Sequence, residues 1–195
     1  MSVNPTALSE LIRHRRSIKP DQMDGRAIPE EHLAQILENA NWAPTHGMTE
    51  PWRFTVFRGH DRVALGKFLS ETYRELTAPD EFKPSKFEKL SRNPTLAPVV
   101  IAIGMKRQVS GKISEIDEVQ AVACAVQNMH LTATAYGIGG FWSSNVAACS
   151  EQMRDFIGLG TGDRSLGLFY LGYPKGDWPS GKRSPMSDKI RWSID

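Results

Sequence analysis

Residues 118–136 read E-V-Q-A-V-A-C-A-V-Q-N-M-H-L-T-A-T-A-Y, and no other stretch restricts the fold so tightly. From Ile116 to Tyr136 the pattern is helical, rich in alanine and nearly uncharged after Glu118. A helix that is apolar on most of its circumference must be buried on most sides, in a core or against a partner. Gly137-Ile138-Gly139-Gly140 ends it. With 195 residues, 40% of them hydrophobic, the chain can build one compact core around this helix, so residues 1–195 are expected to form a single domain.

The remaining elements are read from their periods. Thr6 to His14 sets Leu8, Leu11 and Ile12 at helical spacing and delivers the chain to Arg15-Arg16-Ser17. Pro29 followed by E-E-H-L-A-Q-I-L-E-N-A marks a second helix that stops near Trp42. Trp52 to Phe57, W-R-F-T-V-F, alternates and predicts a strand. Helical pattern returns from Arg62 to Leu76 and, briefly, from Ser85 to Leu90. The run L-A-P-V-V-I-A-I-G-M, Leu96 to Met105, is the strongest buried strand. After F-W-S-S come a helix in S-E-Q-M-R-D-F-I, a last core strand in S-L-G-L-F-Y-L-G-Y, and a short amphipathic tail from Pro185. Several strands lack a full crossover unit between them, which fits α+β better than a doubly wound sheet and leaves the strand order open.

Charge excludes some partners. Twenty-four basic against 22 acidic residues leave a formal +2, too balanced to attract nucleic acid or a membrane surface, so any bound anion must be held locally. No apolar run approaches the roughly 18 residues of a membrane span, and M-S-V-N-P-T-A-L-S-E lacks a signal pattern, so a cytoplasmic location is expected. Cys124 and Cys149 form no C-x-x-C pair, and the histidines at 14, 32, 46, 60 and 130 have no ligand spacing, so neither a metal site nor a disulfide is expected.

Several motifs fail on inspection. Gly176 to Lys182, G-D-W-P-S-G-K, has P-loop spacing, but Arg183 stands where a hydroxyl should hold magnesium. Gly137, Gly139 and Gly140 follow a helix rather than a strand, unlike a Rossmann fingerprint. No G-x-S-x-G or H-E-x-x-H occurs.

Three signals remain. R-H-R-R-S, Arg13 to Ser17, gathers guanidinium groups and a hydroxyl suited to phosphate, or else is a solvated basic helix end. Ala43 to Trp52, A-P-T-H-G-M-T-E-P-W, fixes Thr45, His46 and Glu50 between two prolines, with Trp42 and Trp52 as expected anchors in the core; the plainer reading is a rigid connector. Gly139 to Ser144, G-G-F-W-S-S, offers glycines, an aromatic surface and hydroxyls for one face of a flat ligand, or is simply a helix cap before a core aromatic.

In this order, and followed by L-G-Y-P, the three signals resemble the nitroreductase family of flavin enzymes over essentially the whole chain, most of all its short bacterial members. The resemblance implies an α+β fold with a central, mainly antiparallel sheet flanked by helices. It also implies an intertwined homodimer, with FMN at the subunit interface and both subunits contributing to each site. Arg15, Arg16 and Ser17 would then hold the phosphate and ribityl chain, and Arg183, with Lys182 beside it, would meet the phosphate. Thr45, His46 and Glu50 would contact the ribityl chain and ring, while Trp142, Ser143 and Ser144 would run beside the isoalloxazine. Met48 and Glu50 depart from the Asn and Gln common in relatives.

The implied activity is a two-step transfer in which NAD(P)H reduces the flavin at N5 and a nitroaromatic, quinone or activated alkene then takes the electrons. The cofactor carries the chemistry, so no nucleophilic side chain is needed; His46 would be an auxiliary donor. Two alternatives stand beside this reading. One is a flavin-binding or interaction protein without turnover, and the other is a dehalogenating or flavin-fragmenting member of the fold, for which Tyr73 to Asn93 would be the only room for a lid.

Overall fold

A computed structural model describes residues 4–193. The helices are α1 (Pro5–His14), α2 (Glu30–Asn41), α3 (Asp61–Leu76), α4 (Pro84–Leu96), α5 (Glu115–Ala135) and α6 (Glu151–Phe156). The strands are β1 (Trp52–Phe57), β2 (Val99–Met105), β3 (Gly139–Ser143) and β4 (Arg164–Gly172). They form one sheet of order β1-β2-β4-β3 in which every neighbouring pair is antiparallel.

The sheet is covered on both faces, as strands buried on both sides require. β2 is buried along its whole length. Its Val99, Ile101, Ile103 and Met105 pack with α2 (Leu33, Ile36) and α5 (Val122, Val126, Met129). Val100 and Ala102 point the other way, into α3 (Leu65, Leu69, Tyr73), Leu90 of α4 and Met153 of α6. The α+β architecture is therefore a sheet between two helical layers.

Local chemistry explains the helix boundaries. Asn4 caps α1 by accepting from the backbone N–H groups of Thr6 and Ala7. Ser114 caps α5, and Ser150 caps α6. The expected helix at Ser85 to Leu90 runs on to Leu96, because Leu90 and Pro94 are buried on one face and Pro94 falls in the last turns. The Tyr73 to Asn93 stretch is thus the end of α3, a short turn and α4. These helices pack so closely that a Cβ at Gly66 would lie 2.1 Å from the Ser91 carbonyl oxygen. No described helix is long and apolar enough to cross a membrane.

Candidate functional site

The chain leaves α1 and runs alongside the β3 edge. Ile18 N–H donates to the Gly140 carbonyl at 3.1 Å, and Ser17 makes a parallel bridge with Gly140. Arg15 and Arg16 are thereby placed at the corner where α1, β3 and the chain after β4 meet. That last segment is drawn in by two contacts. The Trp178 indole N–H donates to the His14 carbonyl at 2.6 Å, and Arg16 Nε donates to the Pro179 carbonyl at 2.9 Å. A side chain at Gly181 would collide with the Arg16 guanidinium, its Cβ only 2.2 Å from Cζ.

The resulting cavity, about 750 Å³, is lined by Arg13, Arg15, Arg16, Gln127, Lys182 and Arg183 among others. Two of the expected phosphate ligands, 168 positions apart in sequence, therefore meet in space. Their roles differ from that of their neighbour. Arg16 spends its guanidinium on the carbonyls of Arg13, Arg15 and Pro179, as a helix-end cap. Arg15 has no carboxylate within salt-bridge distance among the described residues, nor has Arg183. The Arg15 pKa is lowered from its ordinary value, first by burial and then by the charges of Arg183 and Arg16. Like charges held together without a counter-charge form a place for an anion.

Farther along the β3 edge lies a narrower pocket of about 290 Å³, lined by Lys19, Lys86, Lys89, Asn93, Phe141, Ser143 and Asn145 among others. Ser143 is half-buried and accepts from Asn145 Nδ2 at 3.2 Å, while Ser144 is exposed. Trp142 points to the opposite face of the strand, its indole N–H donating to the Leu166 carbonyl at 2.9 Å. Gly167, at φ +113°, permits this approach, since a Cβ there would lie 2.4 Å from the Ser143 oxygen. Lys19, Lys86, Lys89 and Asn93 were not expected from the sequence. A signal was present all the same: Lys19 is two residues past Ser17 in extended chain, and 86, 89 and 93 follow helical spacing.

The loop before β1 stands elsewhere. Thr45 Oγ lies 3.0 Å from Thr49 Oγ and accepts from Glu50 N–H at 3.3 Å, so its hydroxyl staples the loop to itself. Met48 and Glu50 adopt positive φ, 53° and 43°, a left-handed backbone that costs such residues about 1 kcal/mol or more each. His46 is exposed, with Nδ1 3.3 Å from Asp117 Oδ2 at the start of α5. The Asp117 carboxyl is held below its usual range, first by the Ser114 side chain and then by His46. Trp52 is an anchor, buried and donating to Asn41 Oδ1 at 3.0 Å. Trp42 is not: it is 78% exposed and bonds Glu38 on its own helix, so its expected place in the core is corrected.

Within one chain the loop and the arginine corner are far apart. β1 and β3 are the two edges of the sheet, roughly 14 Å apart across three strand spacings. Trp52 pairs with Met105 at one end of β2, whereas Gly140 is level with Val99, through Leu171, at the other end, roughly 20 Å along the strands.

The sequence pattern of the nitroreductase family matches residues 12–173. The chain belongs to the nitroreductase family. YdjA of Escherichia coli K12, provisionally named an NAD(P)H nitroreductase, is 29% identical over 166 residues, covering 85% of this chain and 87% of its own. A nitroreductase-like protein of Bacillus cereus superposes with a TM-score of 0.82 at 25% identity over 100% of both chains. The FMN-dependent nitroreductase NfnB of Mycobacterium smegmatis, solved in complex with NADPH, shares the fold with a TM-score of 0.75 at 19% identity, over 97% of this chain and 99% of its own.

Proposed function

We propose that this nitroreductase-family chain is an FMN-dependent NAD(P)H oxidoreductase that reduces small nitroaromatic, quinone or activated-alkene acceptors. The observation that carries the reading is the arginine corner, where Arg15 and Arg183 face one cavity with no carboxylate within salt-bridge distance among the described residues. A phosphate monoester supplies the missing charge and enough oxygens for both guanidinium groups. From Arg15 to Lys19 the extended chain covers about 13 Å, on the scale of the distance from the phosphate to the ring system of FMN. The Lys19–Ser143 pocket then lies where the ring would end.

In this reading Arg15 and Arg183 bind the phosphate, and Arg16 fixes the segment that carries Arg183. Ser17 offers its exposed hydroxyl to the ribityl chain. Lys19 and the α4 lysines place positive charge beside the ring, which favours extra electron density there. When bound, FMN supplies the two-electron relay between NAD(P)H and the acceptor.

Thr45, His46 and Glu50 cannot reach the corner of their own chain, so they serve the site of a second copy. Features of the surface favour such a copy. α1 has no buried residue, and Leu8, Ile12, Trp42, Tyr136, Met186, Ile190 and Trp192 are exposed. Leu8, Trp42 and Tyr136 line one groove, and exposed apolar side chains gathered in this way support an interface.

The first experiment is the absorbance spectrum of the purified protein with added FMN, followed by steady-state NAD(P)H oxidation with a nitrofuran or a quinone. Flavin bands and acceptor-dependent turnover are expected. A protein that stays colourless after FMN addition overturns the reading, and one that holds FMN yet reduces no acceptor leaves a flavin-binding protein.

A further inference from the structure

We infer that His130 is a positioning residue for the Arg15-Arg16-Ser17 segment and thereby sets how strongly the protein distinguishes phosphorylated from unphosphorylated flavin. The inference rests on the FMN reading above. It adds a residue that never touches the cofactor.

His130 lies three-quarters of the way along α5, on a buried face shared with Ala125, Val126, Met129 and Ala133, and it is 7% exposed. A buried imidazole in such surroundings is costly unless it is hydrogen-bonded. Its Nε2 is 2.9 Å from the Arg16 carbonyl oxygen. A carbonyl can only accept, so Nε2 carries the hydrogen and donates.

The ring has little room to turn. It stands edge-on to Phe169, with centroids 5.2 Å apart and planes at 70°. Gly140, the residue that pairs with Ser17, leaves the space on the third side, since a Cβ there would lie 3.0 Å from the His130 Cδ2 and 2.5 Å from Phe169 Cζ. Burial above all keeps the ring neutral, pushing its pKa down to about 4.

The segment it holds needs such a restraint. Between α1 and the short turn at Pro20, the backbone is tied to the sheet at the Ser17–Gly140 bridge, where the Ile18 N–H donates to the Gly140 carbonyl. Meanwhile Arg15, Arg16 and Arg183 repel one another beside it. The His130 bond fixes the peptide between Arg16 and Ser17, and so the directions in which Arg15 and Ser17 leave the backbone. α5 in this way fixes the corner from beneath. A core histidine with a purely structural role would instead affect every ligand alike.

FMN and riboflavin differ only in the phosphate, so their dissociation constants, measured by fluorescence titration, separate the two roles. Wild-type protein should prefer FMN. In His130→Leu that preference should fall about tenfold, the scale of one hydrogen bond, with riboflavin binding little changed. In His130→Gln, whose amide can donate to the same carbonyl, most of the preference should return. Equal losses for both flavins, or none, in a folded His130→Leu would overturn the inference.

Should His130→Leu fail to fold, the decision passes to the His130→Gln ratio and to the imidazole nitrogen NMR signals of the wild-type protein. A neutral ring protonated at Nε2 is expected, and one protonated at Nδ1 instead overturns the inference. Wild-type protein that binds FMN with an unaltered ratio in the variants sinks this inference alone, whereas wild-type protein that binds neither flavin removes the FMN reading and this inference together.

Discussion

The arginine corner and the His46 loop are built in opposite ways. The corner is held from several directions, by buried His130 below, by buried Gly140 beside it and by Trp178 and Pro179 across it. The loop is stapled by its own hydroxyls, carries two strained backbone positions and touches the rest of the chain chiefly at Trp52, Asp117 and Ile113. A corner that must keep like charges together needs rigid support before its ligand arrives. On the proposed dimer reading, a loop that serves another copy can complete its order there.

The largest expected effect tests the support beneath the loop. Glu118 is 1% exposed and pairs with Arg107, which also donates to the Ile113 carbonyl at 3.1 Å; Ile113 in turn packs against Gly47. Glu118→Ala leaves Arg107 without its carboxylate and the Gln108 N–H without its acceptor, and should lower stability by about 3 kcal/mol or more in urea denaturation. A loss under about 1 kcal/mol would mean that the loop does not depend on this pair.

The corner should respond to acid. His130 is neutral in the fold down to about pH 4, while in the unfolded chain it titrates near 6.5. Between these values the unfolded state binds the extra proton, so the contribution of His130 is complete above about pH 6.5 and is lost as the pH falls towards 4, by about 3 kcal/mol. Denaturant midpoints measured across this window should fall steeply in wild type and less steeply in His130→Gln.

Arg15→Ala should weaken FMN binding by about tenfold to a hundredfold, the worth of charged hydrogen bonds to phosphate, with riboflavin affected far less. Equal binding of FMN by the variant would move the phosphate away from this corner. The smallest effect is expected at the loop tip. Met48→Asn suits the left-handed backbone at φ 53° and should raise stability by about 0.5 kcal/mol, read as a higher melting temperature.

The sequence made some of this legible and hid the rest for physical reasons. The β1 strand was readable because W-R-F-T-V-F alternates, and α5 because few sequences are so uniformly apolar. The length of α4 was hidden because Pro94 acts there as an apolar face residue with Leu90, a role that its helix-breaking chemistry conceals. Strand order was hidden because β4 inserts between β2 and β3 by pairings distant in sequence. Trp42 misled because a large ring suggests a core position, whereas it borders a groove of about 600 Å³ with Leu8, Leu131 and Tyr136. At the candidate site, Arg15 was singled out by the R-H-R-R-S cluster, and Arg183 by the family resemblance. His130 and Lys19 needed the fold, since nothing local distinguishes them from a helix-face histidine and a surface lysine.

The separation of the loop from the corner has a genetic consequence. If each flavin lies between one copy's Arg15 and the other copy's His46, then two differently damaged chains, Arg15→Ala and His46→Ala, can rescue each other. In a mixed dimer one site collects both lesions and the other collects neither, so complementation in a cell that expresses both variants would reveal the shared geometry without any purified protein.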